Sequence, residues 1–529
     1  MAVRDPIREG LAAGWKVTDA ATLERDLDLE SDVVVIGSGA GGGVSAESLA
    51  AAGLDVVIVE EGPLASSTDF RMREREAYPQ LYQDSSARQT TDKSITILQG
   101  RCVGGGTTVN WTSSFRTPAR TLAYWKETAG LKRTGPHDLD PWFARMEERL
   151  SIAPWGVAPN ENNDVLRRGC MKLGYSHGAI ARNVKGCANL GYCGMGCPLN
   201  AKQSMLVTTI PAALSRGARL LQRARVTRLL IEGDRVVACE AAGVAGNGAK
   251  PTDIRIRIRA RHYVLAAGGI GTPAILIRSD APDPNGLTGR RTFLHPTVIS
   301  AAVMPQRVDG HAGAPQSIYS DHFIENAPLD GPAGFKLESG PTHPVLTGIT
   351  LPGFGEDHAG WMKKFPNVQV VIALLRDGFH RDSRGGRVTL ANDGTPMLDY
   401  SMSAYLWEGV RRAYLAMAEI QFAAGAQTVM PVHENAKGCA TLKEAREAID
   451  ALPMRALAAR IVSAHVMGGC AMGPDERTGV VDEDGRHYQL RNLSIHDGSI
   501  FPTSIAANPQ LSIYALAARS SAALAKILR

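Results

Sequence analysis

The apolar positions of this chain change their period along its length, and those changes mark its elements. Asp32 to Ile36 is a short β-branched run of the kind that lies buried in a parallel sheet. Val44, Ala46, Leu49 and Ala50 then recur at helical spacing up to Gly53, and Val56-Val57-Ile58-Val59 predicts a second buried strand ending at Glu60. Further on, Leu220 to Ile231 and Val236 to Ala242 alternate as strands. Asp253 to Ala260 (DIRIRIRA) has period two and predicts an amphipathic strand with a solvated arginine face. His262 to Gly269 predicts a buried strand ending in glycines. From 295 to 455 the pattern shifts to short apolar runs, 298–303 and 368–375, a hairpin at 388–396 with an Asp-Gly turn, and a long helix at 406–424. A last helix is predicted over 511–528.

This pattern predicts an α/β chain: a Rossmann-like parallel-sheet domain and a second, antiparallel-sheet domain, discontinuous in sequence. The expected division is an N-terminal arm over 1–30, with an acidic linker from Glu24 to Asp32. The nucleotide-binding domain is expected from 31–120, 205–294 and 456–529, a helical cap segment over 121–204, and a substrate-binding domain over 295–455. Residues 66–98 lack periodicity and are expected to be irregular surface.

Between the first strand and the first helix stands Gly37-Ser38-Gly39-Ala40-Gly41-Gly42, a GxGxxG. Gly37 permits the tight turn, Gly39 lets backbone N–H groups approach a pyrophosphate, and Gly42 lets the helix pack close on the strand. The helix N-terminus then faces phosphate charge, and Glu60 is placed to accept from a ribose diol. Strand, glycines, helix, strand and acid in one unit read as a dinucleotide site.

Composition narrows the class. The 529 residues are 44% hydrophobic and 21% charged, as in ordinary globular proteins. A net charge of +5 spread along this length gives no basic patch, so nucleic acid is not an expected partner. Eight cysteines are too sparse for a disulfide scaffold, and the N-terminus lacks the apolar core of a signal peptide. No run of about 18 apolar residues occurs, so no transmembrane segment is expected. The expected location is the cytoplasm, with a peripheral inner-membrane position as the alternative.

Chemistry gathers in three further stretches. Gly100-Arg101-Cys102-Val103-Gly104-Gly105-Gly106-Thr107-Thr108-Val109-Asn110 offers backbone N–H donors to a phosphate or a flat heterocycle. Cys187, Cys193 and Cys197, spaced C-x5-C-x3-C, are candidate ligands of an iron–sulfur cluster; the alternatives are a tight loop lined with thiols, or a labile disulfide with one thiol free. Zinc lacks a fourth ligand at motif spacing. Near the C-terminus, His465 precedes Gly468-Gly469, then come Asp497-Gly498-Ser499 and Asn508-Pro509 at the head of the last helix. Read alone, Asn508 is a helix N-cap and His465 a hydrogen-bonded loop histidine. The helix N-terminus beside Asn508 also offers positive potential to a developing anion.

The motifs GSGAGGG…VEEG and GRCVGGGTTVN, with a partial match at 269–279 where Asp280 replaces the usual glycine, resemble those of the glucose-methanol-choline (GMC) oxidoreductases, which bind FAD and oxidise alcohols. The resemblance implies that Gly37, Gly39, Gly42 and Glu60 hold the dinucleotide. It implies that Arg101, Gly105, Thr107 and Asn110 line the pyrophosphate and flavin, that Val226 meets the adenine edge, and that Asp497 lies on the cofactor. His465 is implied as the catalytic base and Asn508 as its partner before flavin N5; the other histidines, His295 and His496 among them, are given no catalytic role. The cysteine spacing resembles both a three-iron cluster site in bacterial FAD glucose dehydrogenases and a cluster-free segment of long-chain alcohol oxidases. The segments GCANLGYCGMGCPLNAKQS and SAHVMGGCAMG resemble the long-chain alcohol oxidase and bacterial alcohol dehydrogenase branch. That implies a small-molecule alcohol substrate, aliphatic or terpenoid before sterol or polyol, oxidised to aldehyde or ketone by hydride transfer to the flavin. A redox partner or quinone is an expected acceptor. The alternatives on the same fold are a redox-silent lyase and an electron-transfer subunit. Because the base must be neutral, activity should rise with pH through its pKa, and with an ordinary histidine a profile flat from pH 5 to 9 would count against His465.

Overall fold

The computed structural model describes residues 3–246 and 250–529. Its first sheet runs in the order Lys16–Asp19, Arg219–Gln222, Val56–Val59, Leu27–Ile36, Lys250–Leu265, Arg235–Ala245 and Ala224–Glu232, with Leu493–Ile495 beside the end of Lys250–Leu265. The strands from Lys16–Asp19 to Lys250–Leu265 pair in parallel, and the last two are antiparallel additions. Val33, Val34, Val35, Val56, Val57 and Ile58 are fully buried, as expected for strands covered on both faces.

The expected N-terminal arm holds a helix, Pro6–Ala12, and a strand. Lys16–Asp19 is an edge strand of this sheet, and the segment expected as an acidic linker is the start of strand Leu27–Ile36. Its acids face the arginines of the DIRIRIRA strand: Arg255 meets Asp26 at 3.1 Å, Arg259 meets Asp28 at 3.8 Å and Arg261 meets Asp32 at 3.0 Å. Each exposed pair is worth about 0.2–1 kcal/mol at most, but a slip of one residue would turn every arginine to the wrong face.

The second sheet, in the order Ile95–Ile97, Ile461–Ser463, Thr297–Val303, Val368–Leu375, Phe335–Glu338, Ile318–Ser320 and Gly178–Ala179, is antiparallel apart from its first pair. Residues 66–98, expected to be irregular, supply its strand Ile95–Ile97 and a helix, Glu74–Leu81. The two faces differ. Val371, Ala373 and Leu375 are fully buried in a core shared with Leu406, Val410 and Met417 of helix Ala404–Ala423. On the other face, Ile299 and Ile372 stay 8% exposed and Leu374 6%. That face is a second, smaller apolar cluster, with Met430, Val432 and the partly buried Trp361 and Met362 packed on it.

A third, four-stranded sheet joins the expected hairpin (Gly386–Leu390 with Pro396–Asp399) to Arg290–Leu294 and Val466–Gly468. Helix Gln510–Leu528 is long and apolar enough to cross a membrane, but 67% of it is buried; it packs on helix Ala40–Ala51 as a core element.

Helix Ala40–Ala51 also abuts the backbone at 496–497 and tolerates no side chain at Gly41, where a methyl group would lie 1.4 Å from the His496 carbonyl oxygen. Gly41→Ala is therefore expected to destabilise the protein by about 1–3 kcal/mol. Gly360→Ala, in helix Gly355–Lys363 with nothing within 4 Å, should be neutral or stabilising. Urea midpoints of the two variants check this; equal midpoints would refute it.

Candidate active site

The three glycine-bearing segments meet around one carboxylate. Gly37 turns with φ +101°, and a methyl there would be 2.3 Å from the Ala266 carbonyl oxygen; one on Gly42 would be 1.9 Å from that of Gly37. Helix Ala40–Ala51 begins at Gly39 with no side chain capping its first turn, so its N–H groups face outward as an anion site. Gly39 lies against Gly105, whose added methyl would be 2.7 Å from the Gly39 Cα. Glu60 is buried and accepts from Ser38 N and Oγ at 3.1 and 2.6 Å and from Gly62 N at 2.9 Å; Gly104 N donates to Ser38 Oγ at 3.0 Å. Burial pushes the Glu60 carboxyl up to about 7 against the pull of these bonds. Its two oxygens retain lone pairs for a sugar hydroxyl.

The remaining predicted cofactor residues extend this cradle. Arg101 is buried, its backbone against Gly62. Thr107 Oγ1 donates to Gly104 O at 2.6 Å and accepts from Met205 N at 3.0 Å. Asn110 donates to Gln510 Oε1 at 2.7 Å, tying the glycine-rich stretch to the first turn of the last helix. Val226 is buried on strand Ala224–Glu232. Asp497 accepts from Gly268 N and Thr272 Oγ1 at 2.8 and 2.6 Å and from Ser499 N and Oγ at 2.8 and 2.5 Å. Its carboxylate is thus occupied in holding the second glycine turn, leaving its backbone for a cofactor. An uncapped helix N-terminus, abutting glycine backbones and a buried carboxylate with spare lone pairs fit FAD.

Lys202 is a residue the sequence reading missed. It is buried, and its ammonium donates to the carbonyls of Thr108, Asn110 and Cys193, at 3.0 and 2.8 Å for the last two. Burial lowers its pKa to about 8. It clamps the far end of the cradle.

His465 and Asn508 are positioned by different sheets. Val466–Gly468 pairs antiparallel with Arg290–Leu294, Val466 opposite Leu294, so the next pair outward is His465 and His295. Their Nδ1 atoms are 3.0 Å apart and their rings stand edge to face, 5.2 Å between centroids at 88°. His295, expected to be a bystander, is the direct partner of His465. His465 is half-buried, and desolvation lowers its pKa from 6.5 to about 4. The acid limit on a neutral base therefore moves down by more than two units, and a rate flat from pH 5 to 9 becomes compatible with His465.

Asn508 does not cap the last helix, which starts at Gln510 without a side-chain cap. It is buried, follows Ala506 held at φ +62°, and donates Nδ2 to Glu338 Oε2 at 3.4 Å. Glu338 stands opposite Ile372, which stands opposite Ile299, so all three share one apolar face of the sheet. Burial raises the Glu338 pKa to about 7, against the attraction of Lys336. Lys336, two residues earlier on the same strand, is 1% exposed. Its Nζ lies 3.9 and 4.2 Å from the ring centroids of Phe115 and Tyr319 and 2.6 Å from Asp321 Oδ1. Its charge reaches both His295 and Glu338. Lys336, Glu338 and His295 were not singled out from sequence, although two charges at alternate positions of an apolar strand (FKLE) signal one polar patch on a buried face.

The cysteine loop does not fit a cluster. Among the described residues no group of three or more His, Cys, Asp or Glu side chains is gathered to hold a metal. Cys193 Sγ accepts from Arg182 Nη2 at 3.6 Å and Cys187 Sγ from Asn189 N at 3.4 Å, and all three thiols are free. The loop serves the cradle through its backbone: the Cys193 carbonyl takes Lys202, and the Gly194 carbonyl takes Tyr82 Oη at 2.7 Å. The expectation of iron–sulfur ligands at Cys187, Cys193 and Cys197 is withdrawn.

Comparison with known proteins identifies the family. Residues 78–297 and 382–517 match the two parts of the GMC oxidoreductase family, and 32–71 match an FAD binding domain. A GMC-type oxidoreductase of Mycobacterium tuberculosis (strain H37Rv), described as uncharacterized, is 30% identical over 490 residues, spanning 92% of this chain and 74% of its own. A long-chain-alcohol oxidase of Arabidopsis thaliana is 29% identical over 522 residues, 92% of this chain and 66% of its own. The crystal structure of pyridoxine 4-oxidase from Mesorbium loti superposes with a TM-score of 0.65 at 18% identity, over 93% of this chain and 98% of that one, which shows the shared fold. Glycine cradle, two-sheet architecture and family match agree: the chain belongs to the GMC family of FAD-dependent oxidoreductases.

Proposed function

We propose that the protein oxidises an apolar alcohol to the aldehyde or ketone, with His465 as the base. The observation that carries this reading is the pair of contacts His465–His295 and Asn508–Glu338, with the charge of Lys336 acting on both His295 and Glu338 beside the apolar face of the second sheet. FAD, when bound, supplies the hydride acceptor. His465, kept neutral by desolvation, takes the hydroxyl proton. Asn508, uncharged at any pH, orients the same hydroxyl with the amide groups that Glu338 leaves unused. Ile299, Ile372 and Leu374 offer the substrate's hydrocarbon part a wall without hydrogen-bonding groups, at about 25 cal/mol per Å² of apolar surface removed from water. The likeness to long-chain-alcohol oxidases supports a long aliphatic substrate over a polyol.

Mixing the oxidised holoenzyme anaerobically with alcohols of graded chain length tests the reading. Long primary alcohols should bleach the flavin bands faster than polyols; bands that no alcohol bleaches would leave the redox-silent lyase. His465→Ala should keep the flavin spectrum while reduction slows by about 10²–10⁴-fold.

The pH profile supplies a separate check. Activity should be gained as pH rises through about 4 and then stay level to pH 9 as far as His465 is concerned. An acid limb centred near 6.5 that disappears in Glu338→Gln would belong to the carboxyl group, while one that persists would contradict the desolvated state of His465.

A further inference from the structure

Two neutral imidazoles whose Nδ1 atoms are 3.0 Å apart share one proton between those atoms. The arrangement has two forms. In one, His465 Nδ1–H donates to His295 Nδ1, and the His465 Nε2 lone pair is free. In the other, His295 donates, and His465 carries its proton on Nε2, where it is a donor and no base. We propose that His295 is a positioning residue that holds His465 in the first form; this rests on the reading of His465 as the base.

The backbone makes the contact obligatory. Thr292, Phe293 and Leu294 face Gly468, Met467 and Val466 in antiparallel register, so His295 and His465 follow as the next opposed pair. Gly468 fixes the turn beyond, with φ +74° and room for no side chain: a methyl there would be 2.2 Å from the Arg291 carbonyl oxygen. Pro296 follows His295, and Thr297 Oγ1 donates to the His295 carbonyl at 2.9 Å.

His295 also has the electrical character the role needs. It is buried, and desolvation with the positive charge of Lys336 holds its pKa well below the ordinary histidine value, so it remains a neutral acceptor. When the substrate proton arrives on His465 Nε2, the Nδ1–H bond to His295 is kept, and only the second proton's position has changed. His295 thereby holds the imidazolium in place without the full charge of a carboxylate, which would raise the base's pKa. Its own Nε2 is buried without a protein partner among the described residues, the cost of keeping the proton on that side.

The test uses the FAD-loaded enzyme and three variants, His295→Leu, His295→Asp and His465→Ala, with visible spectra confirming bound flavin. Anaerobic flavin reduction by an alcohol that the wild type oxidises is followed by rapid mixing from pH 3.5 to 9. His295→Leu should slow limiting reduction by about 10–100-fold, with apparent substrate affinity nearly unchanged. His295→Asp should move the acid limb up by about one pH unit or more, because a carboxylate stabilises the imidazolium. In ¹⁵N-histidine spectra of the resting enzyme, with His465 assigned from His465→Ala, its Nδ1 should carry the proton in wild type and lose that preference in His295→Leu. A His465 signal protonated at Nε2 in wild type, or a His295→Leu variant that reduces like wild type while His465→Ala is slow, overturns the proposal alone. If His465→Ala itself reduces like wild type, the base reading falls and the proposal with it.

Discussion

The fold hangs on places where two backbones touch with no side chain between them. Helix Ala40–Ala51 meets the His496 carbonyl through Gly41, the first turn meets Ala266 through Gly37, and Gly39 meets Gly105. Each contact joins segments far apart in sequence, and each would be displaced by one methyl group. Such contacts expose peptide N–H groups that side chains would cover, and this is what makes the same surface a cradle for pyrophosphate. Structural closure and cofactor binding therefore share one cause. Glu60, Ser38 and Gly104 reinforce it with a buried chain of hydrogen bonds, and Asp497 does the same at the second glycine turn.

The reactive groups are set against this cradle by strand register. The 290–294 and 466–468 strands belong to a small sheet that does no chemistry itself, yet their alignment brings His465 to His295. The larger antiparallel sheet places Lys336 and Glu338 on the same parity as Ile299 and Ile372, so that face is apolar with one charged corner. A shift of one residue in either sheet would turn these side chains into the core behind. The rigidity of the site comes from backbone ladders, which suits groups that must hold hydrogen-bond geometry within a fraction of an ångström.

Local sterics explain what was legible in the sequence. The 32–62 unit could be read because each glycine answers a constraint within a few residues, and strand Val56–Val59 appears with the predicted bounds. The C-terminal helix starts one residue earlier than its periodicity predicts. Elements defined by distant partners were not legible. Lys16–Asp19 has four residues and no apolar alternation, and it is a strand because Arg219–Gln222 lies beside it. Asp26, Asp28 and Asp32 read as a linker until Arg255, Arg259 and Arg261 stand opposite. His465 and Asn508 were singled out as candidates through the order of motifs around them. His295 was not, because a His-Pro at a strand end acquires meaning only from the register of a strand some 170 residues later. The cysteine loop misled in the reverse sense: its spacing suggests ligand convergence, but its carbonyls carry the contacts to the cradle, while the Cys187 and Cys193 thiols accept from separate neighbours.

Unpartnered buried polar atoms and left-handed backbone occur along the described chain, and some of them fall at the candidate site. His295 Nε2, Glu338 Oε1 and Asn508 Oδ1 are buried without a protein partner among the described residues, and Ala506, two residues before Asn508, is held in left-handed backbone. An unsatisfied buried polar atom costs about 1–3 kcal/mol, and a non-glycine residue at positive φ about as much. Together these amount to several kcal/mol, comparable with the net stability of a whole domain. Apolar replacements would pack this face of the sheet more cheaply, as they do on its opposite face against helix Ala404–Ala423. A fold that keeps imidazole, carboxyl and amide here, each held on one side by a neighbour and open on the other, is organised around a polar group that arrives from outside the chain. The alcohol hydroxyl of the proposed reaction, at once donor and acceptor, would meet a base and an amide together.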